Sequence, residues 1–263
     1  MLCILGIDLA AQPVKTGVIL LTSTEDGSWE ASTLDGAATD DRLVEAVRHS
    51  DRVGVDAPLG WPVDFVKALN AHSDRRAWPG SVDRDRLTHR DTDRAVRSRL
   101  PGVRPLSVSA DKLGITAMRC ALLQHRWATE VWGVYEPRDG SGRLVETYPA
   151  AALAAWNLPR EGYKGGSGAK AERGRTVRST IMNSIAKDCA GWLDLSRVAE
   201  ACIASDHLLD GLLSALVALA AGSHATVTAA ETSLAITEGW IHVPSTPLAE
   251  LRPMIPTAGN EHY

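Results

Sequence analysis

LCILGIDL, residues 2–9, is a run of apolar side chains that is broken only by Gly6 and Asp8. A short, continuous apolar run is typical of a β-strand that is buried on both faces. Burying an unpaired carboxylate costs several kcal/mol, so an acidic residue at the end of such a strand needs either a partner or a cation. The stretch therefore predicts the central strand of an α/β fold, with Asp8 at its carboxyl end.

The neighbouring segments extend this strand into a sheet. Residues 16–22, 29–34 and 52–56 predict three more strands, residues 40–49 an amphipathic helix, and residues 134–136 with 143–146 a final hairpin or strand. A strand-helix-strand return is right-handed and parallel, which places Asp56 at the same edge of the sheet as Asp8. We expect a five-stranded mixed sheet of order 3-2-1-4-5, flanked by helices.

The rest of the chain is predicted to be mainly helical. Prolines and glycines interrupt the pattern from Pro58 onwards, and an arginine-rich segment follows, which indicates an insertion at about 62–110 with a helix that begins near Thr92. Further helices are expected at 111–132, 150–156, 170–188, 205–221 and 228–237, and a terminal strand at 240–244. No interdomain linker is visible, so we expect a single domain over residues 1–263 with a loose tail at about 253–263.

Composition limits the class of protein. The net charge is −4, which argues against a dedicated high-affinity nucleic-acid binder. The four cysteines form no CxxC pair, and the longest apolar stretch, residues 208–221, is shorter than the ~20 residues of a membrane span. These features predict a cytoplasmic protein without a membrane partner.

Further acidic residues lie where buried segments begin or end. Glu146 follows an apolar pair, and Asp206 and Asp210 are one helical turn apart at the start of an apolar helix. Three of the acidic candidates have an alternative role: Asp56 as a turn residue before Pro58, Glu146 as a cap of the next helix, and Asp206 as a charge at a helix N-terminus. Asp210 lies among leucines and has no such explanation, so it is the stronger candidate ligand.

Two basic stretches accompany the acidic residues. Residues 74–104 contain nine arginines and five aspartates, and residues 160–178 are also basic. One interpretation is a solvated surface, and the other is a rim that contacts phosphates around the acidic residues. His207 could act as an auxiliary proton carrier, but a solvated or core histidine is the simpler interpretation.

Six ordered motifs resemble one family. They are GIDLA (6–10), VDAPLGWP (55–62), RDTDRAVR (90–97), ETYP (146–149), DHLLDGLLSAL (206–216) and EGWIHVP (238–244). Together they resemble the uncharacterised-domain family 429 (DUF429), which is described as predicted nucleases with a ribonuclease H-like fold. The resemblance implies that Asp8, Asp56 and the Asp206/Asp210 pair form a metal site with Glu146 nearby.

These observations lead to a functional hypothesis. We expect a nuclease that uses two Mg²⁺ or Mn²⁺ ions ~4 Å apart, with Asp8 bridging the ions and Asp56 and Asp210 holding one each. Arg90, Arg94, Arg97 and Lys164 are the expected contacts to nucleic-acid phosphates. The alternatives are an actin-like nucleotide-binding kinase or ATPase, suggested by Lys15-Thr16-Gly17 after Asp8, and a nucleic-acid-binding module without catalysis.

Overall fold

The computed structural model describes residues 1–76, 78, 83–109 and 111–253. In this part of the chain, a mixed β-sheet lies between helices. The strands are β1 (Cys3–Asp8), β2 (Gly17–Ser23), β3 (Trp29–Thr33), β4 (Arg52–Asp56), β5 (Leu144–Glu146) and β6 (Leu193–Asp194). The helices are α1 (Asp40–Arg48), α2 (Val63–Ser73), α3 (Arg84–Thr88), α4 (Asp91–Arg99), α5 (Asp111–Trp127), α6 (Pro149–Ala155), α7 (Ala169–Asp188), α8 (Ala199–Ala204), α9 (Asp206–Gly222) and α10 (Thr232–Glu238).

The sheet has the order β5-β4-β1-β2-β3-β6. Strands β1, β2 and β3 are antiparallel to one another, whereas β4 is parallel to β1, β5 to β4, and β6 to β3. The neighbours predicted for the first five strands are observed, but the predicted count of five is wrong. The sixth strand, β6, has two residues and pairs with the outer edge of β3. A segment of two residues is too short to show the alternation of apolar and polar side chains that predicts a strand.

Successive residues of β1 face opposite helical layers, as the two-residue period of a strand requires. Leu5 and Ile7 belong to the core on the side of α1 and α5. Ile4 belongs to the core on the side of α7 and α9, and Gly6 faces the backbone of α9. Asp8 has the parity of Gly6 and therefore also faces α9.

Helix α9 packs directly against the backbone of the sheet. Its residues from Leu209 to Ala220 are buried, and it lies across β1, β2 and β4. A Cβ atom at Gly6 or Gly54 would overlap the α9 backbone, at Gly211 and Ala215 for Gly6 and at Ser214 for Gly54. The absence of side chains at these glycines permits the close approach.

Several local predictions differ from the structure. The described part of 62–110 contains α2 and α3 besides the expected helix near Thr92. Helix α5 continues beyond Trp127 only as a π-helical turn, which Gly133 ends with a left-handed φ of 73°. Segment 134–136 is not a strand, and segment 240–244 makes single bridges at Ile241 and Pro244. The predicted loose tail lies, from residue 254 onwards, outside the described residues.

Among the helices in the described part of the chain, none has both the length and the apolar character that are needed to cross a membrane.

Substitution Gly6→Ala is expected to lower the free energy of unfolding by about 1–3 kcal/mol, because the added methyl group overpacks the contact between β1 and α9. The matched control is Gly114→Ala in α5, where an added Cβ meets no atom of the described residues within 4 Å. This control is expected to be neutral or slightly stabilising, since alanine favours helix more than glycine does. Urea denaturation measures both, and equal stability of the two variants would contradict the packing described.

Candidate metal centre

Asp8 and Asp56 end two neighbouring parallel strands and are direct partners in the sheet register. Paired residues of adjacent strands point to the same side of a sheet. Because Gly6 and Gly54 face α9, Asp8 and Asp56 two residues later face it as well. The carboxyl ends of β1 and β4 thus direct two carboxylates towards one helix.

Asp210 of α9 is the third member of the cluster. The next residue, Gly211, lies against the strand backbone. The side chain of Asp210 is fully buried. One carboxylate oxygen each of Asp8, Asp56 and Asp210 lies within 4.8 Å of the other two. We call these three residues the carboxylate triad, and their oxygens are close enough together to hold a metal ion.

The carboxylate triad is electrostatically unfavourable without a cation. Burial, together with the charges of Asp8 and Asp210, raises the pKa of Asp56 well above its usual value. Burial also raises the pKa of Asp210 to about 6, although the nearby Lys164 ammonium opposes this shift. A cation in the triad would stabilise the ionised carboxylates and thereby lower both pKa values.

Three side chains neutralise or fix the carboxylates. Tyr163 Oη donates to Asp210 Oδ1 at 2.9 Å, and Lys164 Nζ donates to Asp210 Oδ2 at 2.5 Å. His207 Nδ1 lies 2.7 Å from Asp8 Oδ2, and this hydrogen bond raises the pKa of His207. These contacts were not anticipated, although His207 and Asp210 are three residues apart and therefore share a face of α9.

Asp206 lies outside the carboxylate triad. Its Oδ2 accepts the backbone N–H of Gly165 at 3.0 Å, so it holds the loop before α7 against the start of α9. Its candidate role as a metal ligand is therefore not supported by its position.

Glu146 and Arg90 form a separate buried ion pair. Arg90 Nη1 and Nη2 donate to Glu146 Oε2 and Oε1 at 2.7 and 2.6 Å, and the backbone N–H of Leu59 also donates to Glu146. The remaining guanidinium N–H groups of Arg90 bond to Asp93 and to the carbonyl of Glu238. Arg90 is 2% exposed and all five of its donors are engaged, so the expected phosphate contact at this residue does not fit the structure.

The other basic residues that the sequence offers as candidates for substrate binding have different surroundings. Arg94 pairs with Asp91, and Arg97 pairs with Asp85. Lys15 is exposed at the end of a short 3-10 turn after β1. Of the predicted contacts, Lys164 alone combines an exposed side chain with a place in the wall of the cavity described next.

A cavity of about 340 Å³ opens beside the carboxylate triad. Its charged wall includes Asp8, Asp56 and Lys164, and its apolar wall includes Leu106 and Tyr148. Leu106 follows α4 in the chain and lines the cavity together with Pro105. Volumes of about 300–1,000 Å³ are usual for small-molecule sites, so the cavity admits a small ligand or one unit of a polymer.

Fold and site together define an α/β protein with a carboxylate centre where neighbouring parallel strands end. A family model described as "Protein of unknown function (DUF429)" matches residues 6–232, and the chain belongs to this family. The membership implied by the six sequence motifs is thereby confirmed. No curated protein and no solved structure matches the chain.

Asp56→Asn is expected to stabilise the metal-free protein, and by more at pH 7.5 than at pH 4.5. The pKa of Asp56 is raised on folding, so its charge disfavours the folded state increasingly as pH rises above about 3.9, the value in an unfolded chain. Melting temperatures at both pH values in EDTA measure the difference, with exposed Asp35→Asn as the control. A pH-independent loss of stability in Asp56→Asn would contradict the electrostatic description.

Arg90→Gln is expected to lower the free energy of unfolding by about 3–5 kcal/mol, because it leaves the buried carboxylates of Glu146 and Asp93 without their partner. The control Arg97→Gln removes an exposed ion pair and should change stability little. Chemical denaturation compares the two variants. A stable Arg90→Gln protein would instead return Arg90 to the candidates for ligand contact.

Proposed function

We propose that the protein is a Mg²⁺- or Mn²⁺-dependent nuclease that hydrolyses phosphodiester bonds at the carboxylate triad. The observation that carries this proposal is the approach of Asp8, Asp56 and Asp210 to within 4.8 Å beside an open cavity. Perturbed carboxylates that cluster in a cleft are typical of functional sites. Neighbouring side chains offset the repulsion between these carboxylates only in part, and a bound cation would offset the rest.

The donor set supports a hard divalent cation. All three candidate ligands are carboxylates, and oxygen ligands suit Mg²⁺ and Mn²⁺, whereas thiolates and imidazoles suit softer metals. The nearby imidazole, His207, is hydrogen-bonded to Asp8 through Nδ1. A metal held by these carboxylates would supply an activated water molecule and a positive charge beside the leaving oxygen of the phosphodiester.

The residues of the chain have distinct parts in this scheme. Asp8 and Asp56 would hold the metal, and Asp210 places a third negative charge beside it. His207 orients the carboxylate of Asp8 through its hydrogen bond. Lys164 presents a positive charge on the cavity wall, where phosphate oxygens would lie next to the metal. Glu146 positions the segment after Asp56 by accepting the N–H of Leu59.

The topology supports a ribonuclease H-like assignment, which remains part of this proposal. Three antiparallel strands, β1 to β3, are followed by β4 and β5, which join the sheet beside β1 in parallel. The candidate metal centre lies where β1 and β4 end. This is the edge at which open α/β sheets usually bind their ligands.

The cavity and the charge distribution favour a single strand or a strand end as the substrate. Arg90 is buried, and Arg94 and Arg97 are paired with aspartates, so these residues offer little free charge to a duplex backbone. The cavity is near the lower end of the usual range for small-molecule sites, and Leu106 and Tyr148 offer apolar surface to a base. The kinase alternative gains no support, because Lys15 is not part of the cavity wall.

In the deciding experiment, the purified chain is incubated with labelled single-stranded and duplex DNA and RNA, in Mg²⁺, in Mn²⁺ and in EDTA. We expect metal-dependent cleavage, faster on single strands, and its loss in Asp8→Asn with retention of binding, since the substitution removes a ligand but preserves shape. Asp35→Asn is the control. Tight ATP binding without cleavage would support a kinase or ATPase, and nucleic-acid binding without cleavage would support a passive module.

A further inference from the structure

Both carboxylate oxygens of Asp210 are already bonded to consecutive residues of one loop. Tyr163 donates to Oδ1, and the Lys164 ammonium donates to Oδ2. Asp210 is fully buried, whereas the Lys164 side chain is 58% exposed. Lys164 therefore reaches from the surface into the carboxylate triad, and its ammonium lies where cationic charge is needed.

The position of Lys164 is fixed by the loop that carries it. The backbone N–H of the next residue, Gly165, donates to Asp206 at 3.0 Å. On the other side, the carbonyl of Tyr163 accepts from Arg178 Nη1 at 2.6 Å. Arg178 is buried and also bonds to the carbonyls of Ile203 and Ala204 just before α9. The loop is thus held against the start of α9 on both sides of Lys164.

The charges of the site agree with one divalent ion rather than two. With the carboxylates ionised and His207 neutral, the triad carries three negative charges, and the Lys164 ammonium neutralises one of them. One divalent ion would balance the remaining two charges, whereas two ions would leave an excess of positive charge. Repulsion between cations a few ångströms apart in a partly buried site is strong enough to oppose a second ion.

The hydrogen bonds point to the same conclusion. Both oxygens of Asp210 are engaged by the loop, and Oδ2 of Asp8 is engaged by His207. Within the described residues, the structure records no hydrogen-bond donor to the Asp56 carboxylate or to Asp8 Oδ1. The carboxylate oxygens without a hydrogen-bond donor therefore belong to Asp8 and Asp56, and these oxygens are the most available to a metal.

We propose that Lys164 is a resident cation of the carboxylate triad and that the site consequently binds one divalent ion, through Asp8 and Asp56. The ammonium takes the place that a second ion would have in the scheme expected from the sequence. This inference rests on the metal centre of the proposed nuclease. It assigns Lys164 two contacts, with Asp210 in the free protein and with a phosphate oxygen of the substrate when one is bound.

The test is the number and affinity of Mn²⁺ ions bound to the full chain, measured by equilibrium dialysis and by native mass spectrometry. The parent protein should bind one ion. Lys164→Met, which keeps much of the side-chain volume but removes the charge, should bind a second ion or bind the first roughly tenfold more tightly. Lys164→Arg should keep the parent stoichiometry. Lys170→Met, an exposed lysine at the start of α7, is the matched control for net charge.

Melting temperatures provide a second readout that does not depend on activity. Without metal, Lys164→Met should melt at a lower temperature than the parent. Added Mn²⁺ should raise the melting temperature of the variant more than that of the parent, because tighter binding to the folded state stabilises it more. If Lys164→Met fails to fold, Lys164→Gln replaces it in both measurements.

The outcomes separate this inference from the proposed function. Two ions bound to the parent, or identical Mn²⁺ binding by the parent and Lys164→Met, would overturn the role of Lys164 but leave a metal-dependent nuclease intact. No Mn²⁺ binding by the parent would overturn both. One ion in the parent with a Lys164-dependent change, but no cleavage of any nucleic acid, would support the metal site and reject the nuclease.

Discussion

The close approach of α9 to the sheet is the constraint on which the candidate metal centre depends. Gly6 and Gly54 leave room for the helix backbone, and any larger residue at either position would displace it. Because the helix lies so near, Asp210 reaches the ends of β1 and β4, where Asp8 and Asp56 face it. The same two-residue period that directs the glycines towards α9 also directs these aspartates.

Bringing three carboxylates together opposes folding, and the chain compensates within the same region. Lys164 and Tyr163 bind Asp210, and His207 binds Asp8, but the pKa of Asp56 and that of Asp210 remain raised. The apolar cores on both faces of the sheet supply the stability that permits this arrangement. A site that is unfavourable by itself but supported by its surroundings is suited to binding a cation.

A second buried group of charges has a different role. Arg90 joins Asp93 at the start of α4 to Glu146 at the end of β5, and the neighbouring Glu238 accepts the backbone N–H groups of Val63 and Asp91. The contacts of Arg90 attach the start of α4 to the end of β5, and those of Glu238 attach the starts of α2 and α4 to α10. Arg90, Asp93 and Glu146 also line the cavity, so this group of charges forms part of its wall.

By itself, the sequence determined the strands β1 to β4, the helix that carries Asp210, and the acidic residues at their ends, because apolar periodicity is local and its breaks are conspicuous. It could not determine which partner each charge would find. Arg90 resembled a phosphate contact but pairs with Glu146, 56 positions away, and Lys164 reaches Asp210 across 46 positions. Only the tertiary structure decided these pairings, since contacts between distant segments leave no period in the sequence and depend on how closely α9 packs against the sheet.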